Sequence, residues 1–250
     1  MKKMFFSLLT ACSLFLAGCL ETTQEVSINE DGSGTASYTT DMSALIGMLK
    51  QMGSSEDLKE MNQVLDSTIS MNTIADSIPD LTDAEKSLMK KGEMKINMDM
   101  KEERFLTKLN FPFGQVSDIA SLDQLSGKVV GEALKGQGGM NGLTGEGGSP
   151  QMSSFEEYFK TVYTNGRIQK TLIKEKYEQV GEDEFFKSMK EASAMGLAMK
   201  ANYIINLPRP ASKAEGKGIT LSEDKKKITI AVDMDDFFDE PAKFEYLIEY

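Results

Sequence analysis

Histidine and tryptophan are absent from this 250-residue chain, cysteine occurs twice, and proline only six times. Without histidine the chain lacks the commonest general base, the commonest metal ligand and the usual pH switch. That excludes Ser-His-Asp and Cys-His nucleophilic machinery, and zinc sites of the Cys/His type. Without tryptophan there is no indole platform for stacking a sugar. Basic residues are also scarce, with 28 Lys and Arg against 39 Asp and Glu, a net charge of −11. Nucleic-acid binding depends on cations that neutralise phosphates, so the balance disfavours nucleic acid and no such partner is expected. The same excess disfavours electrostatic docking on an anionic membrane. Only carboxylates, lysines, tyrosines and methionines remain for chemistry.

Long apolar runs are missing as well. The longest, Met4 to Leu16, follows Lys2 and Lys3 and is too short to span a bilayer, which takes about 20 apolar residues. A charged start, a short apolar stretch and small residues behind it fit an export signal that is removed. Both cysteines, Cys12 and Cys19, lie in this N-terminal region. The body beyond residue 19 therefore has no thiol and must stand on packing without a disulfide.

Leu16-Ala17-Gly18-Cys19 resembles the lipobox of bacterial lipoproteins. That resemblance implies cleavage between Gly18 and Cys19, a diacylglycerol on the Cys19 thiol and acylation of the new amine. It implies a membrane-anchored, exported protein. Leu20 follows, with no Asp to mimic an inner-membrane retention signal, so the implied address is the outer membrane. Two acyl chains hold a protein on a membrane stably where one does not. Loss of residues 1–18 would leave 232 residues, with 26 basic against 39 acidic side chains, a net of −13. That length suits one large domain or two small ones.

Period-2 and helical patterns alternate along the body. Val26 and Ile28, the turn Asp31-Gly32-Ser33-Gly34, then Ala36, Tyr38 and Thr40 predict a β-hairpin. Asp41 with Met42, Leu45, Ile46, Leu49 and Met52, then Leu58, Met61 and Leu65, predict helices. Thr82-Asp-Ala-Glu85 spells a capping box. Residues 41–91 are thus expected to be a helical insertion. Met94 to Met100 and Phe105 to Phe113 alternate strictly and predict strands. Ser117 to Leu134 is expected to be helical in part. Residues 136–150 hold seven glycines and read as a flexible loop. Phe155 to Val162, followed by Thr164-Asn165-Gly166-Arg167, predicts a strand pair. Glu182 to Met199 predicts a helix with Phe185, Met189, Ala192, Gly196 and Met199 on one face. Strands centred on Tyr203 to Leu207, Ile228 to Met234 and Phe244 to Tyr250 close the chain. The expected fold is α+β, a largely antiparallel sheet with helices packed on one face, in a single domain over 19–250.

The early Asp-Gly-Ser-Gly hairpin, with Tyr203-Ile-Ile-Asn-Leu-Pro208 and Leu221-Ser-Glu-Asp-Lys-Lys, resembles uncharacterised lipoproteins of Bacteroidota. The hairpin is also similar to that of the mycobacterial LppM-type domain. Neither resemblance brings functional residues to this chain.

Candidate chemistry is sparse. Asp233, Asp235, Asp236, Asp239 and Glu240 crowd one segment, but an EF-hand needs glycine at its sixth position, where Phe238 stands. Asn29 to Gly34 lacks the upstream acid and the bidentate Glu of a calcium loop and reads as a turn. Met48 with Met52, and Met195 with Met199, have the spacing of a Cu(I) site but fall on apolar positions, where methionine serves as adaptable core. Ser87 and Lys90 spell SxxK without the companion motifs of serine enzymes that use lysine. No metal, cofactor or catalytic residue is expected. Three functional classes remain: a non-catalytic envelope lipoprotein that binds or scaffolds an envelope protein, a carrier of a lipid or other apolar ligand between helices and sheet, and a carboxylate-dependent hydrolase.

Overall fold

The computed structural model describes residues 19–44, 46–47, 64–76, 78, 81–136, 155–194 and 198–250. The expected signal segment 1–18, Met48, Met52, Met195 and all but the first residue of the expected 136–150 loop lie outside them.

Among the described residues twelve strands form two sheets: β1 (Cys19–Ile28), β2 (Gly34–Asp41), β3 (Val64–Ser70), β4 (Glu93–Asp99), β5 (Arg104–Phe113), β6 (Phe159–Thr164), β7 (Arg167–Leu172), β8 (Ala198–Asn206), β9 (Lys213–Gly216), β10 (Ile219–Leu221), β11 (Lys227–Asp233) and β12 (Tyr246–Glu249). Among the described residues the helices with stated bounds are α1 (Asp83–Met89), α2 (Asp118–Gly136), α3 (Glu184–Ala194) and α4 (Asp235–Asp239), with shorter helical turns at Phe155–Tyr158, Lys174–Tyr177, Val180–Glu182 and Pro241–Phe244. Sheet A has the order β10-β11-β8-β1-β2-β5-β4-β3, and sheet B the order β6-β7-β12-β9. All pairs are antiparallel except β1 with β8.

The α+β class and the mostly antiparallel pairing follow from the alternation. In β5, Phe105, Thr107, Leu109, Phe111 and Phe113 are all buried, while no residue between them is. The first hairpin forms as its turn chemistry predicts. Asp31 accepts from the Ser33 amide at 2.9 Å, and the Asn29 amide donates to the Ser33 carbonyl at 2.8 Å. Gly34 is needed for closeness: a Cβ there would sit 2.0 Å from the Ser27 carbonyl oxygen and 2.5 Å from the Phe113 ring. Gly166 supplies the positive φ of +97° in the β6–β7 turn. The Thr82–Glu85 capping box closes as spelled, at 2.8 Å and 3.3 Å.

The structure differs from the sequence reading in four places. The 41–91 segment is helical only in part, because Val64–Ser70 is the edge strand β3. Leu65 and Ile69 point to the core and Asp66 and Thr68 outward, a period-2 pattern that the helical spacing of Leu58, Met61 and Leu65 obscured. Met199 belongs to β8 rather than to the face of α3, because it opens the inward series Met199, Ala201, Tyr203, Ile205 and Leu207. The last strand starts at Tyr246, with Phe244 in the preceding turn opened by Pro241. Finally, the single expected sheet is two. Short β9 and β10 carry few apolar residues; Gly216 ends β9 and Gly218 lies between the two strands, with φ of +152° and +76°. The chain crosses there from sheet B to sheet A.

Candidate functional site

The inner face of sheet A carries a polar rung beside the threonine rung of Thr22, Thr40 and Thr107. Reading across the strands, Ile230, Tyr203, Gln24, Tyr38, Leu109 and Met94 stand side by side. Three adjacent strands, β8, β1 and β2, thus place polar groups where apolar ones flank them. The charge they meet comes from α2 and sheet B. On α2, Ile119, Leu122, Leu125 and Val129 make the buried stripe, and Asp123 stands within it, 3% exposed. Its Oδ1 accepts from Gln24 Nε2 and from the Tyr38 hydroxyl, both at 2.6 Å. Its Oδ2 accepts from the Tyr163 hydroxyl of β6 at 3.0 Å. One carboxylate therefore ties α2 to both sheets.

Lys170, an inward residue of β7, is 1% exposed. Its Nζ lies 2.7 Å from Glu156 Oε1, 4.4 Å from the Tyr203 ring centre and 4.9 Å from that of Phe159. Buried, hydrogen-bonded and flanked by two ring faces, it is held by both ion pairing and cation–π attraction. The Tyr203 hydroxyl donates to Glu156 Oε1 at 3.3 Å. With all three charged, Asp123, Glu156 and Lys170 enclose a net charge of −1. Burial pushes the Asp123 carboxyl up to about 7, and the neighbouring Glu156 adds to this, against lowering by the Tyr38 hydrogen bond, Lys170 and the Tyr163 hydrogen bond. Burial is also the first cause holding the Tyr38, Tyr163 and Tyr203 hydroxyls well above their ordinary range, with Asp123 or Glu156 next, so they remain donors. Among the described residues no buried side-chain nitrogen or oxygen lacks a hydrogen-bond partner. The cluster is closed upon itself.

None of these residues stood out in the sequence. Two signals were available: an acid within the i, i+3, i+4 stripe of α2, and a lysine at an inward position between Ile168 and Leu172.

The residues that did stand out are scattered. Asp31 is fully engaged in its own turn, its carboxyl held below the usual range first by the Ser33 side chain and then by the Ser33 amide. The acidic segment after β11 is met by lysines: Lys243 reaches Asp236 at 2.7 Å and Glu240 at 3.4 Å, and Lys217 reaches Glu240 at 3.0 Å. Ser87 and Lys90 share a surface cleft beside α1, with Lys90 Nζ paired to Asp76 at 2.9 Å. Met199 is buried in β8. Beneath α3, Phe186 packs edge-on to Phe155 and Tyr158, with centroids 4.9 and 5.1 Å away, and stacks on Phe237 at 5.1 Å. The backbone of Cys19 is described as the first residue of β1.

The outer face of sheet A is the opposite of this interior. Its side chains form polar ladders across strands. Asn202 donates to Glu21 at 2.6 Å, Asn206 to Glu25 at 2.9 Å and to Ser27 at 3.0 Å, and Ser37 to Asn110 at 2.6 Å. Lys95 stands opposite Lys108, with Asn97 and Asp99 along the same strand. None of the outward positions of β1, β2, β4, β5 and β8 is buried among the described residues.

No protein family matches this chain, and no curated protein does. Among solved structures, the folded domain of the LppM protein of Mycobacterium tuberculosis, determined by NMR, is similar at 5% identity and a TM-score of 0.41, over 92% of this chain and 90% of that one. A likeness at that level carries no inference about ligand or activity. Among the described residues no helix is long and apolar enough to cross a membrane.

Proposed function

We propose that the chain is a lipid-anchored envelope lipoprotein, held through Cys19, whose body acts by binding a protein partner on the outer face of sheet A, without metal, cofactor or catalysis. The observation that carries this reading is the contrast between the two faces of one sheet. The inner polar groups are consumed by one another, whereas the outer ladders are open and already ordered by hydrogen bonds between strands. Ordered side chains lose less freedom on association, which favours binding.

Neither competing class gains support. A carrier needs room beneath α3, and there the described residues place Phe155, Tyr158, Phe186 and Phe237 in mutual contact. A carboxylate hydrolase would draw on Asp123 and Glu156, yet both Asp123 oxygens are occupied and the group is sealed from solvent.

Photo-crosslinkers at Thr23, Lys108 or Ile204, in the native host, test the reading. A defined protein adduct from these outward positions, absent with the crosslinker at Lys174 on the short helix after β7, is the expected result. Hydrolytic turnover by the purified body that Asp123→Asn abolishes without loss of fold would overturn it.

A further inference from the structure

We infer that the Cys19 end of sheet A rests against the bilayer headgroups, with the strands rising away from the membrane. The inference deepens the anchored reading above and rests on it. Its ground is the absence of slack. Cys19 already pairs with Ala198 and Leu20 with Met199, both on β8. From Glu21 onward β1 is paired on both sides, to β8 and to β2. An acyl chain on Cys19 is thus attached to the sheet itself. Freeing Cys19 and Leu20 would yield two extended residues, a reach of about 7 Å. Freeing more would open two ladders at once.

The position of β1 adds a second constraint. It is the fourth strand of eight, with three on one side and four on the other. The anchor therefore lies under the middle of the sheet, and the strand ends on both sides share its level. Register carries that level outward: Glu21 stands opposite Asp41, Asp41 opposite Leu106, and Arg104 opposite Asp99. The Met100–Glu103 turn between β4 and β5 accordingly lies at the membrane end, and so does exposed Val64, opposite Asp99. The Asn29–Ser33 turn lies at the other end, about 30 Å up a strand of ten residues. Among the described residues of the membrane end acidic side chains outnumber Lys101, Arg104 and Lys200, so anionic lipids offer no attraction there, and the partner surface is a zwitterionic headgroup layer held close by the lipid alone.

The mature chain has no thiol besides that of Cys19, which the lipid blocks, so single cysteines can be labelled cleanly. The lipidated full chain, carrying a fluorophore at Glu102→Cys, Lys108→Cys or Glu30→Cys, is reconstituted in phosphatidylcholine vesicles containing a headgroup-attached quencher. The Glu102 label should be quenched several-fold more than the Glu30 label, with Lys108 between. A Gly/Ser spacer inserted between Cys19 and Leu20 should remove the difference. Equal quenching at Glu102 and Glu30 in vesicle-bound protein would overturn the upright orientation and leave the anchor standing, as would strongest quenching at Lys108, which would place the outer face on the membrane. Protein that fails to float with vesicles would overturn the anchor and the orientation together.

Discussion

Asp123 is the residue whose environment departs furthest from what its type prefers. An ionised carboxylate sealed between two sheets beside Glu156 is disfavoured by burial and by like charge, and only partly offset by Lys170 and three hydrogen bonds. With the folded value raised from 3.8 to about 7, the native state holds a proton that the unfolded chain has lost between those values. The stabilisation is then full below pH 4 and is lost as pH rises through 7, on the order of a few kcal/mol. Urea midpoints measured from pH 4 to 8 should fall with pH in the native chain. Asp123→Asn should flatten that component, since an amide can still accept from Gln24 and Tyr38. Lys170 makes the reciprocal case. Lys170→Met should destabilise by about 3 kcal/mol at neutral pH, because buried Asp123 and the partly buried Glu156 are left without a cation. The same urea titration reads it. A change below 1 kcal/mol would mean that the lysine is not the neutralising partner.

At the scale of elements, two predictions follow from fit and capping. Gly34→Ala should disrupt the β1–β2 hairpin, because the new methyl would meet the Ser27 carbonyl backbone, which has no rotamer by which to give way. Loss of a soluble fold, read by circular dichroism, is expected. Thr82→Ala should cost about 1 kcal/mol, the ordinary value of an N-cap, with α1 frayed and the rest intact in hydrogen exchange. Elements with a clean period were legible in the sequence: β4 and β5 with their alternating Met and Phe, the capped α1, the turn at Asn165-Gly166. Those without it were not. β3 faces inward with only two apolar residues, Leu65 and Ile69, and Ser67 between them, and β9 and β10 are held by register to β12 and β11 rather than by apolar content. The polar cluster was hidden for a related reason. Asp123, Lys170, Gln24 and Tyr203 lie far apart in sequence, and each is unremarkable alone. Only the crossing of α2 with two sheets makes them neighbours. The Cys19 proposal rests on the reverse kind of signal, since the LAGC context that suggests it is complete within four residues.

For the whole molecule, the path of the chain decides how it must come apart. Sheet A takes β1 to β5, β8, β10 and β11, and sheet B takes β6, β7, β9 and β12. The chain therefore enters sheet B after α2, returns to A at β8, goes to B at β9, back to A at β10, and ends in B at β12. No single cut yields two segments that each own a sheet. The two inner faces also share contacts that neither can satisfy alone: Lys170 of sheet B against the Tyr203 ring of sheet A, and Asp123 bridging Tyr38 of A and Tyr163 of B. Opening the sheets would expose the apolar inner face of each layer to water and break the Asp123 and Tyr203 contacts that bridge them, so the open state offers little refuge short of unfolding. Chains of this length often unfold in stages. Here a single transition is expected. Hydrogen exchange in rising urea should bring the slowest amides of β2 in sheet A and of β12 in sheet B to one common opening free energy. Two plateaus, with sheet B opening first, would show that the crossings do not couple the layers. Asp123→Ala, which strips the bridge from Tyr38 and Tyr163 together, is the variant in which such a separation should first appear.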